Sequence, residues 1–226
     1  MTRTKLKDRI LPSYTKGEEI FNMVSHIVGC LLGIIASVIC IAISAVHQST
    51  FGIVSGAIYG ATIIILYVMS SIYHGLSPNL ISKKIFQILD HNAIFLLIAG
   101  TYTPFILCGI RIVSPVFGWW ILGIIWGIAI LGIVLNSIDL KMFKKFSMIC
   151  YLAMGWCVII RANILPDFLP TIGIIMLILG GVLYTIGAIF YCIGKKKNIR
   201  YAHSIFHLFV LIATLLHFLC IALYLL

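Results

Sequence analysis

The chain has 226 residues, of which 62% are hydrophobic and 10% are charged, and its mean hydropathy is +1.16. Soluble globular domains have about 45–50% apolar and about 25% charged residues, so the composition excludes that class and indicates a polytopic membrane protein. The net charge of +10 does not indicate nucleic-acid binding, because the basic residues cluster in loops on one side of the predicted membrane protein.

Residues 1–17 are basic and polar, and we predict that they form a cytoplasmic tail. Residues 18–226 are predicted to form a single transmembrane domain. Windows of about 20 apolar residues indicate membrane-spanning helices. The chain has seven such windows, at 21–46, 51–75, 86–109, 115–137, 146–164, 171–193 and 201–225. The sequence therefore predicts an all-α, seven-helix transmembrane bundle, a multi-pass protein of the cell membrane.

The distribution of basic residues predicts the orientation of this bundle. Fourteen of the sixteen lysines and arginines lie on one predicted side, at 3–16, 83–84, 141–145 and 195–200, and the other two are Arg111 and Arg161. Cytoplasmic loops of membrane proteins are enriched in Lys and Arg. The N-terminus is therefore predicted in the cytoplasm and, after an odd number of spans, the C-terminus outside.

The first span opens with a polar helical face. At about 25 residues the span is longer than the apolar core of a signal peptide, so we predict that it is retained. Glu19, Asn22 and His26 follow the spacing i, i+3 and i+7, which places them on one face of a helix. That face either meets lipid headgroups or turns into the bundle as a polar network, since unpaired polar groups in lipid are costly.

Spans two and three carry polar residues at the same predicted depth. Ser70 and His74 stand one helical turn apart at the cytoplasmic end of span two, and Pro78 follows. Asp90 lies at the start of span three, among apolar residues. Either residue has a simpler interpretation: His74 as an interfacial side chain, and Asp90 as a carboxylate that stabilises a helix N-terminus.

The last span carries three histidines in an otherwise apolar helix. His203 and His207 are four residues apart and share one face near its start, whereas His217 lies about 15 Å further along. Insertion of a charged side chain at the centre of a membrane helix costs on the order of 3 kcal/mol of free energy. Three ionisable histidines in one membrane helix therefore indicate a functional or structural role. We predict that His203 and His207 bind a metal ion and that His217 is a buried polar contact.

A zinc site follows from combining these spans. His74, His203 and His207 all lie at the predicted cytoplasmic ends of their helices. Three imidazoles with an open fourth position are typical of catalytic zinc, and a nearby carboxylate such as Asp90 can hold water or orient a ligand. Hydrogen bonds between helices remain an alternative explanation for the same histidines.

The motifs resemble those of the hemolysin III family, bacterial members of the progestin and adiponectin receptor superfamily and distant relatives of alkaline ceramidases. The resemblance extends from about Glu19 to Leu226. It rests on ExxNxxxH ending at His26, SxxxH ending at His74, LDH around Asp90, AGTYTPF at 99–105 and HSIFHLFVLIATLLHF at 203–218.

The resemblance implies a fold and a set of site residues. It implies a seven-helix bundle with a zinc ion near the cytoplasmic face, bound by His74, His203 and His207. It further implies that Asp90 contacts the zinc-bound water and that Ser70 lines the site. Glu19, Asn22 and His26 match the family's first motif and form a possible second polar cluster.

Three functions are consistent with the sequence. The first is a zinc-dependent hydrolase that acts on a membrane lipid amide or ester, with Asp90 as the general base or the residue that holds the water. The second is a cytolytic or pore-forming protein, as the family name suggests. The third is a membrane-lipid sensor in which zinc is structural. The predicted partner is a membrane lipid, nucleic acid is not expected, and no protein partner is indicated.

Overall fold

Six long helices account for most of the chain. The computed structural model describes residues 3–226, in which no strand occurs. The helices are α1 (Lys16–Val46), α2 (Thr50–Gly75), α3 (Ile81–Phe105), α4 (Pro115–Trp156), α5 (Thr171–Lys197) and α6 (Ala202–Tyr224). A π turn at Ile106–Ile110 and a short helix at Arg111–Val113 continue α3, and a 3-10 segment at Cys157–Asp167 continues α4.

All six helices have the length and apolar composition of membrane spans. Their most apolar windows have mean hydropathies between 2.0 and 2.7. A helix needs about 20 apolar residues to cross the hydrocarbon core of a bilayer, and each of the six meets that length. The chain is therefore an all-helical, multi-pass membrane protein.

The longest helix, α4, is interrupted at Asp139. This residue has extended backbone angles, with φ −158° and ψ 100°. Its Oδ1 atom accepts hydrogen bonds from the backbone N–H groups of Lys141 at 2.9 Å and Met142 at 3.2 Å. An extended residue whose side chain accepts from the next N–H groups is an N-cap, so a new helical segment begins at position 140.

The chain reverses direction at this cap. The Ser147 hydroxyl donates a hydrogen bond to Asn136 Oδ1 at 2.6 Å, whereas residues eleven apart in a straight helix are about 16 Å apart. Residues 115–138 and 140–156 are therefore the two arms of a helical hairpin. The first arm coincides with the predicted span 115–137 and the second overlaps the predicted span 146–164. Seven membrane crossings remain a prediction.

Helices α1 and α2 pack along rows of small residues. A Cβ atom at Gly29 would lie 2.5 Å from the Tyr67 ring, and one at Gly33 would lie 2.7 Å from Ile63. Small residues at intervals of about four let two helix backbones approach closely in a membrane. The rows consist of Gly29, Gly33, Ala36, Cys40 and Ser44 in α1 and Gly52, Gly56 and Gly60 in α2, all of them buried.

A buried carboxylate joins the start of α1 to the start of α6. Glu18 Oε2 accepts hydrogen bonds from the backbone N–H and the hydroxyl of Thr15, both at 2.8 Å, which completes a capping box. Glu18 Oε1 accepts a third bond from the Tyr201 N–H at 2.7 Å. Because His203 follows Tyr201 by two residues, this contact positions the beginning of the predicted metal site.

Candidate metal centre

Three histidines from two helices meet at one end of the bundle. His74 lies in the last turn of α2, and His203 and His207 lie in the first two turns of α6. One ring nitrogen from each lies within 4.8 Å of the others. We call this group the histidine cluster, and the end of the bundle that contains it the histidine end. It is the one group of this kind in residues 3–226.

The ring nitrogens of the cluster could hold a metal ion, and one pair of them has the spacing of zinc ligands. The Nε2 atoms of His203 and His207 are 3.1 Å apart. Tetrahedral zinc with Zn–N bonds of about 2.0–2.1 Å places its ligand nitrogens about 3.3 Å apart. His74 Nε2 is buried and has no hydrogen-bond partner within residues 3–226. A buried, unpaired acceptor is costly, and a metal ion at this point would bind it.

The other ring nitrogen of His74 contacts a carboxylate. Nδ1 lies 2.6 Å from Glu19 Oε2, a distance at which Nδ1–H donates a short, charge-assisted hydrogen bond. The amide nitrogen of Asn22 lies 3.5 Å from the same ring nitrogen, which is too long for a strong hydrogen bond. With its proton on Nδ1, the neutral ring presents the lone pair of Nε2 to the centre of the cluster.

Asp90 and Ser70 lie near the cluster but outside it. Asp90 lines the same cavity as His203 and His207, and its side chain is 13% exposed. One oxygen of Asp90 lies 3.4 Å from His91 Nδ1. The Ser70 hydroxyl is fully buried, without a partner in the described part of the chain. Asp90 is thus placed to contact water or a ligand in the cavity, whereas Ser70 lies one turn before His74 in α2 and does not line the cavity.

A largely apolar cavity leads away from the histidine end. It has a volume of about 290 Å³ and is lined by His203 and His207 near one end. It continues past His217, which lies about 15 Å from His207 along α6. Its walls also include Leu66, Leu97, Phe105, Leu177 and Val210. A long apolar cavity that starts at polar side chains fits a ligand with a polar head and a hydrocarbon chain.

The polar face of α1 turns into the bundle. Asn22 is fully buried, His26 is 4% exposed, and the Glu19 side chain is 16% exposed. The His26 ring stacks on His207 with centroids 3.7 Å apart, and neither of its nitrogens has a partner in residues 3–226. Of the two interpretations of this face, the burial of Asn22 and His26 agrees with a face that turns into the bundle.

His217 is separated from the cluster. Its Nε2–H donates to the carbonyl oxygen of Leu177 in α5 at 3.1 Å, and its ring lies beside Tyr184 with centroids 5.6 Å apart. The structure thus gives His217 a buried polar contact between α5 and α6.

Two residues of the histidine end were not found from the sequence. Tyr14, in the predicted tail, stacks on His203 with ring centroids 5.2 Å apart. Lys83, interpreted from the sequence as a basic loop residue, is 1% exposed and lies 2.7 Å from Glu19. A signal for Lys83 exists, because it precedes Asp90 by seven residues and shares its helical face. For Tyr14 the sequence offers no comparable spacing.

Comparison with known proteins finds relatives over nearly the whole chain. A family model described as "Haemolysin-III related" matches residues 14–218, a range that contains the histidine cluster and Asp90. "Hemolysin-3" of Bacillus cereus is 40% identical over 209 residues, 92% of this chain and 92% of that protein. "Hemolysin-3 homolog" of Bacillus subtilis (strain 168) is 40% identical over 211 residues, 93% of this chain and 96% of that protein.

A more distant relative comes from animals. "Monocyte to macrophage differentiation factor" of Homo sapiens is 27% identical over 175 residues, which cover 74% of this chain and 69% of that protein.

Proposed function

We propose that this chain, which belongs to the haemolysin III-related family, is a zinc-dependent hydrolase of a membrane lipid amide or ester. One observation carries the proposal: three histidines converge inside a membrane protein, and two of them, His203 and His207, line a long apolar cavity together with the carboxylate of Asp90. Each part of that arrangement has a chemical role in hydrolysis.

The histidine cluster would hold the metal. His74, His203 and His207 offer three imidazole nitrogens and leave the fourth position of a tetrahedral ion open. When bound, zinc polarises a carbonyl group and lowers the pKa of water from 15.7 to about 7, so that hydroxide is available at neutral pH.

Asp90 would act on the attacking water. Its carboxylate faces the cavity and lies 3.4 Å from His91 Nδ1. A carboxylate beside a reacting water can accept its proton or hold it in place for attack. Because Asp90 lies outside the histidine cluster, it leaves room for that water.

The cavity favours a lipid substrate. Its apolar walls fit the hydrocarbon chain of an amide or ester, and burial of that chain excludes water from the cavity and fixes the position of the carbonyl group. The cavity reaches the histidine cluster from within the bundle. A substrate that enters from the bilayer therefore never has to leave an apolar environment before its carbonyl group reaches the site.

The experiment that tests the proposal measures fatty acid release by the zinc-loaded protein in liposomes that contain ceramides or phospholipids. We expect wild type to release fatty acid and Asp90→Asn to do so at least about 100-fold more slowly, since removal of a general base costs about 10²–10⁴-fold. Asp167→Asn, at an exposed aspartate, is the matched control and should match wild type. Equal rates for wild type and Asp90→Asn would refute the assignment.

The name of the Bacillus cereus relative, "Hemolysin-3", motivates one alternative, a cytolytic protein. Dye leakage from the same liposomes, equal for wild type and Asp90→Asn and without fatty acid release, would favour the alternative. Zinc-dependent folding with neither leakage nor hydrolysis would favour a lipid sensor with structural zinc.

A further inference from the structure

Lys83 is a buried cation at an unfavourable position. It is 1% exposed, and no other lysine or arginine in residues 3–226 is buried. It is the third residue of α3 (Ile81–Phe105), where the positive end of the helix dipole disfavours a cation. Burial of an ammonium group adds a desolvation cost, so such a residue is retained only where partners offset both effects.

The contacts of Lys83 offset those costs. Its Nζ atom donates to Glu19 Oε1 at 2.7 Å and to the carbonyl oxygen of Leu76 at 2.9 Å. It also lies 5.0 Å from the centroid of the Tyr73 ring, within the range of a cation–π interaction. Lys83 therefore joins the start of α3 to α1 and to the residues that surround the end of α2.

Glu19 also contacts the histidine cluster, so it links Lys83 to His74. Its first carboxylate oxygen binds Lys83, and its second lies 2.6 Å from His74 Nδ1. Metal-binding histidines commonly donate their other N–H to a carboxylate, which fixes the tautomer and the ring orientation. The three side chains form a line in which the lysine holds the carboxylate and the carboxylate holds the imidazole.

We propose that Lys83 and Glu19 are positioning residues that hold His74 in the tautomer whose Nε2 atom binds the metal. The inference rests on the proposed zinc site but not on lipid hydrolysis. An ion pair that served only to join α1 and α3 would not require the second oxygen of Glu19 to face His74.

The first test determines the tautomer of His74 in the metal-free protein. The full-length protein, labelled with ¹⁵N-histidine in detergent, is examined by NMR, and the His74 signal is assigned by its loss in His74→Gln. We expect the proton on Nδ1. A proton on Nε2 in wild type would overturn the inference whether or not the protein binds zinc.

The second test measures zinc affinity by competition with a chromophoric chelator. Glu19→Gln alone leaves the lysine charge unpaired and can prevent folding, so the Glu19→Gln/Lys83→Met double variant, which removes both charges, is measured as well. We expect the double variant to bind zinc about 10–100-fold more weakly than wild type, the usual effect of losing such a contact.

Lys84→Met and Lys83→Arg are the controls. Lys84 is adjacent in sequence but donates to the Lys7 carbonyl, so its variant should bind zinc like wild type, and Lys83→Arg should retain most of the affinity. Wild-type affinity in the double variant would refute the positioning role. Absence of zinc binding in wild type would refute the metal site and, with it, the inference, whereas absence of lipid hydrolysis alone would leave the inference standing.

Discussion

At the scale of single residues, the histidine end contains polar atoms that are buried without partners. His74 Nε2, the Ser70 hydroxyl and both nitrogens of His26 lack a hydrogen bond within residues 3–226. Most buried polar groups in folded proteins are paired. A concentration of unpaired groups beside a cavity is therefore the residue-level feature that favours a metal ion, water or ligand at this point.

Ser70 provides a prediction at this scale. Because its hydroxyl makes no hydrogen bond in the described chain, Ser70→Ala should leave the midpoint of thermal unfolding unchanged while slowing fatty acid release about tenfold, the effect of losing about 1.4 kcal/mol in the transition state. Thermal unfolding and hydrolysis rates are measured on the same preparation. Ser44→Ala, at another fully buried and unpaired serine in α1, should change neither. A large loss of thermal stability in Ser70→Ala would contradict this role.

The sequence allowed some of these residues to be predicted and not others. His203 and His207 could be predicted from the sequence, because two ligands four residues apart share a helical face. Lys83 was not predicted, because its spacing of seven residues from Asp90 places the two on one helical face but does not show whether the lysine faces water or a buried carboxylate. Its partner Glu19 lies 64 positions away, and only the packing of α1 and α3 against α2 brings the two together.

At the scale of elements, close packing of α1 against α2 determines the position of the polar face of α1 beside the histidine cluster. The contact of Gly29 with Tyr67 brings the two backbones together one turn from His26. A larger side chain at this position would separate α1 from α2 and move Glu19 away from His74.

Substitution of this glycine tests the packing. Gly29→Leu places atoms where the Tyr67 ring lies, and overpacking typically costs about 1–3 kcal/mol, so we expect a lower midpoint of thermal unfolding in detergent and weaker zinc binding. Gly123→Leu is the matched control, because a Cβ atom at 123 has nothing within 4 Å. Equal midpoints for the two variants would show that the α1–α2 contact is not close.

At this scale, the sequence patterns did not predict where the second arm of the α4 hairpin begins. The second arm begins at position 140, six residues before the predicted span at 146. Lys141, Lys144 and Lys145 excluded this stretch from an apolar window, although the helix continues through them. The cap at Asp139 depends on backbone angles that composition does not specify.

At the scale of the whole molecule, apolar composition was sufficient to predict an all-helical membrane protein, and six helices have the required length. The reversal at Asp139 makes an odd number of crossings possible. The predicted orientation places the histidine end, with most of the basic residues, at the cytoplasmic face.

Cysteine labelling tests this orientation. In a variant without native cysteines, Cys is introduced singly at the exposed positions Thr50, Asn79, Lys141 and Asp167. For seven crossings, an impermeant maleimide added to intact cells should label positions 50 and 167 but not 79 and 141, which should react only after permeabilisation. Labelling of 141 and 167 from the same side would contradict a membrane crossing between them.

The central claim is that His74, His203 and His207 bind one zinc ion, and elemental analysis of the purified protein tests it most directly. Wild type, His207→Ala and His217→Ala are purified in parallel, the last as a control because His217 bonds Leu177 outside the cluster. We predict one zinc per chain in wild type and in His217→Ala, and none in His207→Ala. No zinc in wild type, or equal zinc in all three proteins, would contradict the account.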